Sequence, residues 1–475
     1  MPTYENQTVL VVGLGVSGVA AAELLRRRGA RVSAVDTSST PSVLAAAERL
    51  KKQGIDVRVQ VSSLPQQTYS FAVLSPGVPL DLPLVQELRS AGVPIIGELE
   101  LGYRESLCLS VAISGTDGKT TTTHLVERLL TNSHKRTRAA GNVGTPLCAV
   151  ADETRGLDFL TLEVSSFQLE TIEFFRPIVA VLMNIAPDHL DRHRTLDAYV
   201  RAKARLFENQ QAFDWAVVQS GALAQLRAAG IELRAKVITF SATDPKADLY
   251  LDRSLLISRL PGWEGPLLDF DHCQLAGPHN AENCMAALAV GRVLRLPLEE
   301  TLAAVRAFAP LPHRCESLGQ VRGVRYINDS KSTTLHSLQA ALRSVPTASG
   351  GKPNLWLISG GKDKGLEYHD AGPLLSERVK GVFLIGETRE RLRSAWSLFT
   401  PCSLSGSLLE ATREAARQAV PGDVVLLSPA CSSFDQFQNY QHRGDVFREA
   451  VAELSRADSD SGSGAESLQK PIGCR

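Results

Sequence analysis

Leu109-Ser110-Val111-Ala112-Ile113 leads into Ser114-Gly115-Thr116-Asp117-Gly118-Lys119-Thr120-Thr121, and Thr122 to Leu130 then reads as a helix. An apolar strand, a glycine loop with a lysine and hydroxyls, and a helix, in that order, predict a phosphate-binding unit of an α/β fold. Ile113 stands where the first glycine of G-x-x-x-x-G-K-[ST] would be, so the loop is a variant of that form. Its working parts remain: glycines that let backbone N–H groups approach phosphate, Lys119 as a point charge, and Thr120 as a magnesium ligand. Asp117 brings a carboxylate close to the expected phosphates.

Outward from this loop, short β-branched runs alternate with helical stretches: Val9 to Val12, Val32 to Val35, Phe71 to Leu74, Phe159 to Leu162 and Val179 to Met183. That alternation predicts parallel sheets covered by helices. The pattern restarts near Leu109, Val324 and Leu355, and two prolines in Ala309-Pro310-Leu311-Pro312 interrupt a helix. Boundaries are therefore expected near 107 and near 311, with Pro310 and Pro312 a candidate hinge. A polar tail is expected from Asp458, where Asp-Ser-Asp-Ser-Gly-Ser-Gly begins.

The 475 residues carry 51 Lys plus Arg against 51 Asp plus Glu, so no net field draws the chain to nucleic acid or to anionic lipid. A small-molecule substrate is expected. No apolar run reaches the roughly 20 residues that span a bilayer, and the start lacks the pattern of a signal peptide, so the cytoplasm is expected. Eight scattered cysteines show neither a C-x-x-C pair nor metal-ligand spacing, and read as reduced structural thiols.

Other candidate sites fall at strand ends. Gly13-Leu14-Gly15-Val16-Ser17-Gly18 follows the first strand and opens a helix, with Asp36 at the end of the next strand. This is the setting of a dinucleotide fingerprint, and the residues alone do not separate NAD from UDP. Ser75-Pro76-Gly77-Val78-Pro79 is a rigid loop at the same strand ends. Glu163 ends another strand, and Asn184 with Asp188-His189-Leu190-Asp191-Arg192-His193 follows the next. An acid and an imidazole beside a phosphate loop suit a hard cation. His189 and His193 lack the glutamate of H-E-x-x-H, which argues against zinc. Lys203, in a helix expected over 196–208, reads on composition as a solvated lysine. His313-Arg314, Asn328 to Thr333, Gly360 to Gly365 and Ser428 to Phe434 place further cations and hydroxyls after strands.

The order of these motifs, from about residue 9 to about 450, resembles the Mur ligase family. Gly141-Asn142-Val143-Gly144 and Glu163-Val164-Ser165-Ser166-Phe167-Gln168-Leu169 look like its central domain. The run Leu427 to Phe437 and the Rossmann-like start are similar to the branch that adds D-glutamate. The resemblance implies three α/β domains: Rossmann-like for the UDP substrate (1–107), P-loop-type for ATP (108–311), and Rossmann-like for the amino acid (312–457), with a flexible tail (458–475). It implies an ATP-dependent acid–amino-acid ligase using ATP and Mg2+, acting on UDP-N-acetylmuramoyl-L-alanine and D-glutamate as a monomer.

Residue by residue, the resemblance puts UDP at Gly13, Gly15, Ser17, Gly18, Asp36, Ser75 and Gly77, with Asn142 and Ser165 also facing substrate. ATP falls to Gly115, Thr116, Asp117, Gly118, Lys119, Thr120, Thr121, Asn280, Asn283, Arg314, Asp329 and Lys331. Thr120, Glu163, His189 and Lys203, the last as a carbamate, match metal ligands. Thr333, Lys364, Ser433, Phe434 and Tyr440 match the D-glutamate pocket. Asp117 replaces an asparagine and Tyr440 a phenylalanine of the family pattern. The residues supply no covalent nucleophile, and His189 is a candidate base. A nicotinamide dehydrogenase would use the first loop but leave the Lys119 loop without a role.

Overall fold

The structure, a computed structural model, describes residues 4–142, 144–345, 352–363 and 367–462. Among these the chain forms three sheets, a three-domain α/β architecture of mainly parallel strands. The chain divides into two compact units. One holds the residues up to Cys273 together with Asn280–Phe308, and the other holds Gln274–His279 and the residues from Ala309 on. The last crossing, at Phe308, precedes the two-proline segment.

The first unit begins with a five-stranded sheet in which Thr8–Val12 is central, paired in parallel with Arg31–Asp36 and Phe71–Leu74. Its alternation explains burial on both faces. Val9 and Val11 pack with Leu24 and Leu25 of the helix Val16–Arg27, while Leu10 and Val12 pack with Leu84, Val85 and Leu88 of the helix Pro83–Ser90. A strand covered on both faces is what a parallel sheet requires.

The same unit carries a nine-stranded sheet. Leu109–Ser114 lies between Phe159–Glu163 and Val179–Leu182, and Thr137–Gly141 flanks Phe159–Glu163. At the other end Leu255–Ser258 pairs antiparallel with both of its neighbours, Leu249–Asp252 and Gly265–Asp269. The helix Glu98–Glu105 connects the two sheets, and buried Glu100 accepts the backbone N–H groups of Glu173, Phe174 and Phe175 at 2.9–3.0 Å. Those three bonds satisfy a turn whose donors would otherwise be orphaned.

In the second unit a six-stranded sheet places Val424–Leu427 between Val324–Asn328 and Leu355–Gly360. The closing helix, Tyr440–Gly462, continues past Ala457 into the stretch whose composition suggested a tail. The seven described cysteines are free thiols. No described helix is long and apolar enough to cross a membrane.

Candidate active site

The nine-stranded sheet brings the ends of four neighbouring strands together, and with them Gly115–Gly118, Glu163, Asn142 and Asn184. The loop is held from the adjacent strand end. Thr116 N–H donates to the carbonyl of Asn184 (2.9 Å), and the Asn184 side-chain oxygen accepts Thr116 N–H (3.1 Å) and Asp117 N–H (2.8 Å). Thr116 Oγ1 is fixed by Ala186 and lies 3.2 Å from the Tyr199 hydroxyl. Gly118 caps the helix Lys119–Asn132 with φ +81°, a left-handed conformation that glycine adopts without steric cost. The first N–H groups of that helix have no partners within it and suit an anion.

Two lysines meet over this loop. Lys119 Nζ donates to the carbonyls of Gly115 (2.9 Å) and Thr116 (2.7 Å), and Lys203 Nζ donates to the same Gly115 carbonyl at 2.7 Å. Lys203 is 1% exposed, which overturns its reading as a solvated lysine. Its helix, Leu196–Ala204, ends earlier than the expected 208 and points this face inward at the loop. Burial first, and the Lys119 charge second, push the Lys203 amine well below its ordinary pKa.

Glu163 is buried, with Thr120 Oγ1 donating to it at 2.6 Å and Asn142 Nδ2 at 2.7 Å. A hydroxyl and a carboxylate side by side are hard oxygen donors. Among the described residues no three His, Cys, Asp or Glu converge to hold a metal by themselves. His189 sits at a left-handed turn (φ 53°), with Nε2 3.4 Å from Asp188 and its ring 4.7 Å from Phe167. Ser165 caps the short helix Ser166–Leu169 in a reciprocal box with Gln168. Asn283 accepts the Thr122 hydroxyl at 3.2 Å and donates to Asn280 at 3.0 Å, so both buried asparagines border the loop's helix.

At the first sheet, a Cβ on Gly13 would lie 2.7 Å from Val78 Cγ2 and 2.9 Å from Ser75 Cβ, so the two loops pack tightly. Gly18 has no room either, 1.8 Å from the Gly13 carbonyl. Gly15 and Gly77 are exposed and Ser17 half-buried. Asp36 accepts Leu14 N–H at 2.7 Å and Ser38 N–H and Oγ at 2.8 Å, so the carboxylate also braces the loop.

In the second unit Asp329 accepts the Ser428 hydroxyl (2.9 Å) and Cys315 N–H (3.2 Å), and burial raises its pKa to about 7. Lys331 Nζ stands 4.0 Å over the Tyr440 ring. Arg314 and Thr333 are half-buried, Ser433 is buried, and Phe434 is exposed. Lys364 lies outside the described residues. Buried Arg443 joins the segments: it donates to Ser330 Oγ and carbonyl and to the carbonyls of Cys431 and Ser432.

Against this geometry the relatives are informative. Residues 7–97 match the Mur ligase MurD-like N-terminal domain, 113–291 the Mur ligase middle domain, and 313–431 the Mur ligase glutamate ligase domain. A protein of Acidobacterium capsulatum named UDP-N-acetylmuramoylalanine--D-glutamate ligase is 40% identical over 94% of this chain and 96% of its own. The chain belongs to the Mur ligase family.

A Geobacter metallireducens protein of the same name is 40% identical to this Mur ligase over 95% of the chain and 99% of its own. Among solved structures, MurF from Acinetobacter baumannii aligns at TM-score 0.60 and 16% identity, covering 90% of each chain. UDP-N-acetylmuramate-alanine ligase MurC from Thermotoga maritima aligns at 0.59 and 18%, covering 94% of this chain and 100% of its own. At those identities the structures show the shared fold. Tyr199 and Arg443 were not singled out by sequence reasoning, and Asn184 and Arg192 fell within the candidate run 184–193 without roles of their own. An isolated Asn, Tyr or Arg carries no pattern until the fold supplies its neighbours.

Proposed function

We propose that this Mur ligase joins D-glutamate to UDP-N-acetylmuramoyl-L-alanine with consumption of ATP, a step of peptidoglycan precursor synthesis, as a cytoplasmic monomer. The observation that carries the reading is the convergence of Lys119, Thr120, Glu163 and buried Lys203 on one loop. The chain that holds this loop is matched nearly end to end by relatives bearing that name.

The domain roles follow the expected division, with UDP held by 1–107, ATP by 108–311 and the amino acid by 312–457. Gly13, Gly15, Ser17, Gly18, Asp36, Ser75 and Gly77 hold UDP, and Asn142 and Ser165 face the sugar-peptide end. The loop Gly115 to Thr121 holds the ATP phosphates, Asn280 and Asn283 the base, and Arg314, Asp329 and Lys331 the ribose and phosphates. Thr333, Lys364, Ser433, Phe434 and Tyr440 form the D-glutamate pocket.

The alanyl carboxylate oxygen attacks the γ-phosphorus of ATP, the bond to ADP breaks, and an acyl phosphate forms. The D-glutamate amine then attacks the acyl carbon, loses a proton, and expels phosphate. Thr120, Glu163, His189 and Lys203, the last as a carbamate, would hold magnesium, which when bound would neutralise phosphoryl charge. Lys119 adds its own charge at the phosphates, and the helix N-terminus orients them. Burial, and the Lys119 charge after it, disfavour the charged form of the Lys203 amine, and the neutral amine is the form that can take up CO2 as a carbamate, which would turn repulsion of Lys119 into attraction. The test is phosphate release from ATP with magnesium and UDP-N-acetylmuramoyl-L-alanine, with D-glutamate, L-glutamate or neither. Release with D-glutamate alone, with a new amide, supports the reading. Preference for another amino acid would assign the chain to a sibling activity.

A further inference from the structure

Arg192 has no role in the reaction as proposed, yet its side chain bridges the Ser75–Val78 loop and the Phe167–Glu170 segment. It lies on the short helix Leu190–His193, three positions after His189. Its Nη1 donates to the carbonyl of Pro76 at 2.9 Å, and its Nη2 to the carbonyl of Val78 at 3.1 Å and to the Glu170 carboxylate. The guanidinium carbon stands 4.3 Å from the centre of the Phe167 ring.

Both ends of this contact continue. On one side Val78 and Ser75 pack against Gly13, with Val78 N–H bonded to the Ser75 carbonyl at 2.9 Å. On the other side the Phe167 ring lies 4.7 Å from the ring of His189 and 5.6 Å from that of His193, and His193 Nε2 is 3.0 Å from Ser166 Oγ. The planar guanidinium serves two carbonyls, a carboxylate and an aromatic face together, which an ammonium point charge cannot do.

We propose that Arg192 is a positioning residue that fixes the Ser75–Val78 loop, and so the UDP end of the substrate, in register with the His189 turn beside the phosphate loop. The inference rests on the reading of the Gly13 and Ser75 loops as the UDP site. It adds a residue that touches no substrate but sets the distance over which the reacting carboxylate must reach the phosphoryl group.

The test compares Arg192→Lys and Arg192→Ala with the parent enzyme by steady-state kinetics, and by calorimetric titration with UDP alone, without ATP or magnesium. Loss of one or two charge-assisted bonds to the loop predicts a rise of roughly tenfold or more in KM for UDP-N-acetylmuramoyl-L-alanine and in Kd for UDP. The KM values for ATP and D-glutamate should stay within about twofold, and free guanidinium, but not ammonium, should restore part of the UDP affinity of Arg192→Ala. Should Arg192→Ala fail to fold, Arg192→Lys, with the charge kept and the fork lost, carries the comparison. Unchanged UDP affinity in Arg192→Lys, or a fall in kcat with every KM unchanged, would overturn the proposal. A parent that binds UDP without D-glutamate-dependent turnover defeats the ligase reading, while the titrations still decide Arg192. A parent that binds no UDP removes the basis of the inference.

Discussion

Replacing Gly118 by alanine tests whether the phosphate loop is built as described. Gly118 has φ +81°, and an added Cβ would lie 2.4 Å from Asn283 Oδ1. The left-handed conformation costs an alanine about 1–2 kcal/mol. Displacing Asn283 breaks its bonds to the Thr122 hydroxyl and to Asn280, at about 0.5–1.5 kcal/mol each. Reduced freedom of the unfolded chain returns about 0.4–1 kcal/mol. The net is roughly 1–5 kcal/mol against the native loop. If the free loop stays native, the whole cost is a loss of stability; if it relaxes, the remainder is a loss of nucleotide affinity. Urea denaturation and calorimetric titration with a non-hydrolysable ATP analogue and magnesium should together recover that total. Gly156→Ala is the control, since nothing lies within 4 Å of its Cβ and its φ is ordinary. Gly118→Ala with stability unchanged and nucleotide affinity within about threefold of the parent would refute the reasoning.

Asn184→Ala removes the side-chain oxygen that accepts Thr116 N–H and Asp117 N–H and should weaken the ATP analogue by roughly 5- to 100-fold, measured by the same titration. Lys203 has a depressed folded-state pKa, so between that value and its ordinary value near 10.5 the unfolded chain binds the extra proton. Stability of the parent relative to Lys203→Met should therefore rise with pH through that window, measured by urea denaturation in CO2-free buffer. Asp329 has the opposite sense: raised from 3.8 to about 7, it contributes stability below its unfolded pKa that is lost as pH climbs through the folded one. Asp329→Asn should gain on the parent between about pH 4 and pH 7 in thermal unfolding, and parallel curves would refute this.

The strands and the two glycine loops were legible because their signals are local. Val9 to Val12 and Leu109 to Ile113 declare themselves by β-branched runs, and Gly118 with Lys119 by spacing. Lys203 was not legible from its residues: three of its four nearest neighbours in sequence are Ala202, Ala204 and Arg205, and nothing there foretells that its helix faces the Gly115 carbonyl 88 positions away. Asn184 was seen only as part of a polar run, because its use as a loop brace depends on the strand order that sets Val179–Leu182 beside Leu109–Ser114. The helix over residues 458–462 was missed since its composition is that of a tail, and the preceding turns of Tyr440–Gly462 extend it.

The central claim is ligation through an acyl phosphate, and transfer of oxygen-18 tests it most directly. UDP-N-acetylmuramoyl-L-alanine labelled in the alanyl carboxylate would be incubated with ATP, magnesium and D-glutamate, and phosphate and product analysed by mass spectrometry. One labelled oxygen in the released phosphate, together with a D-glutamyl amide retaining the other, is the predicted result. Unlabelled phosphate, or labelled phosphate without the amide, would contradict the account.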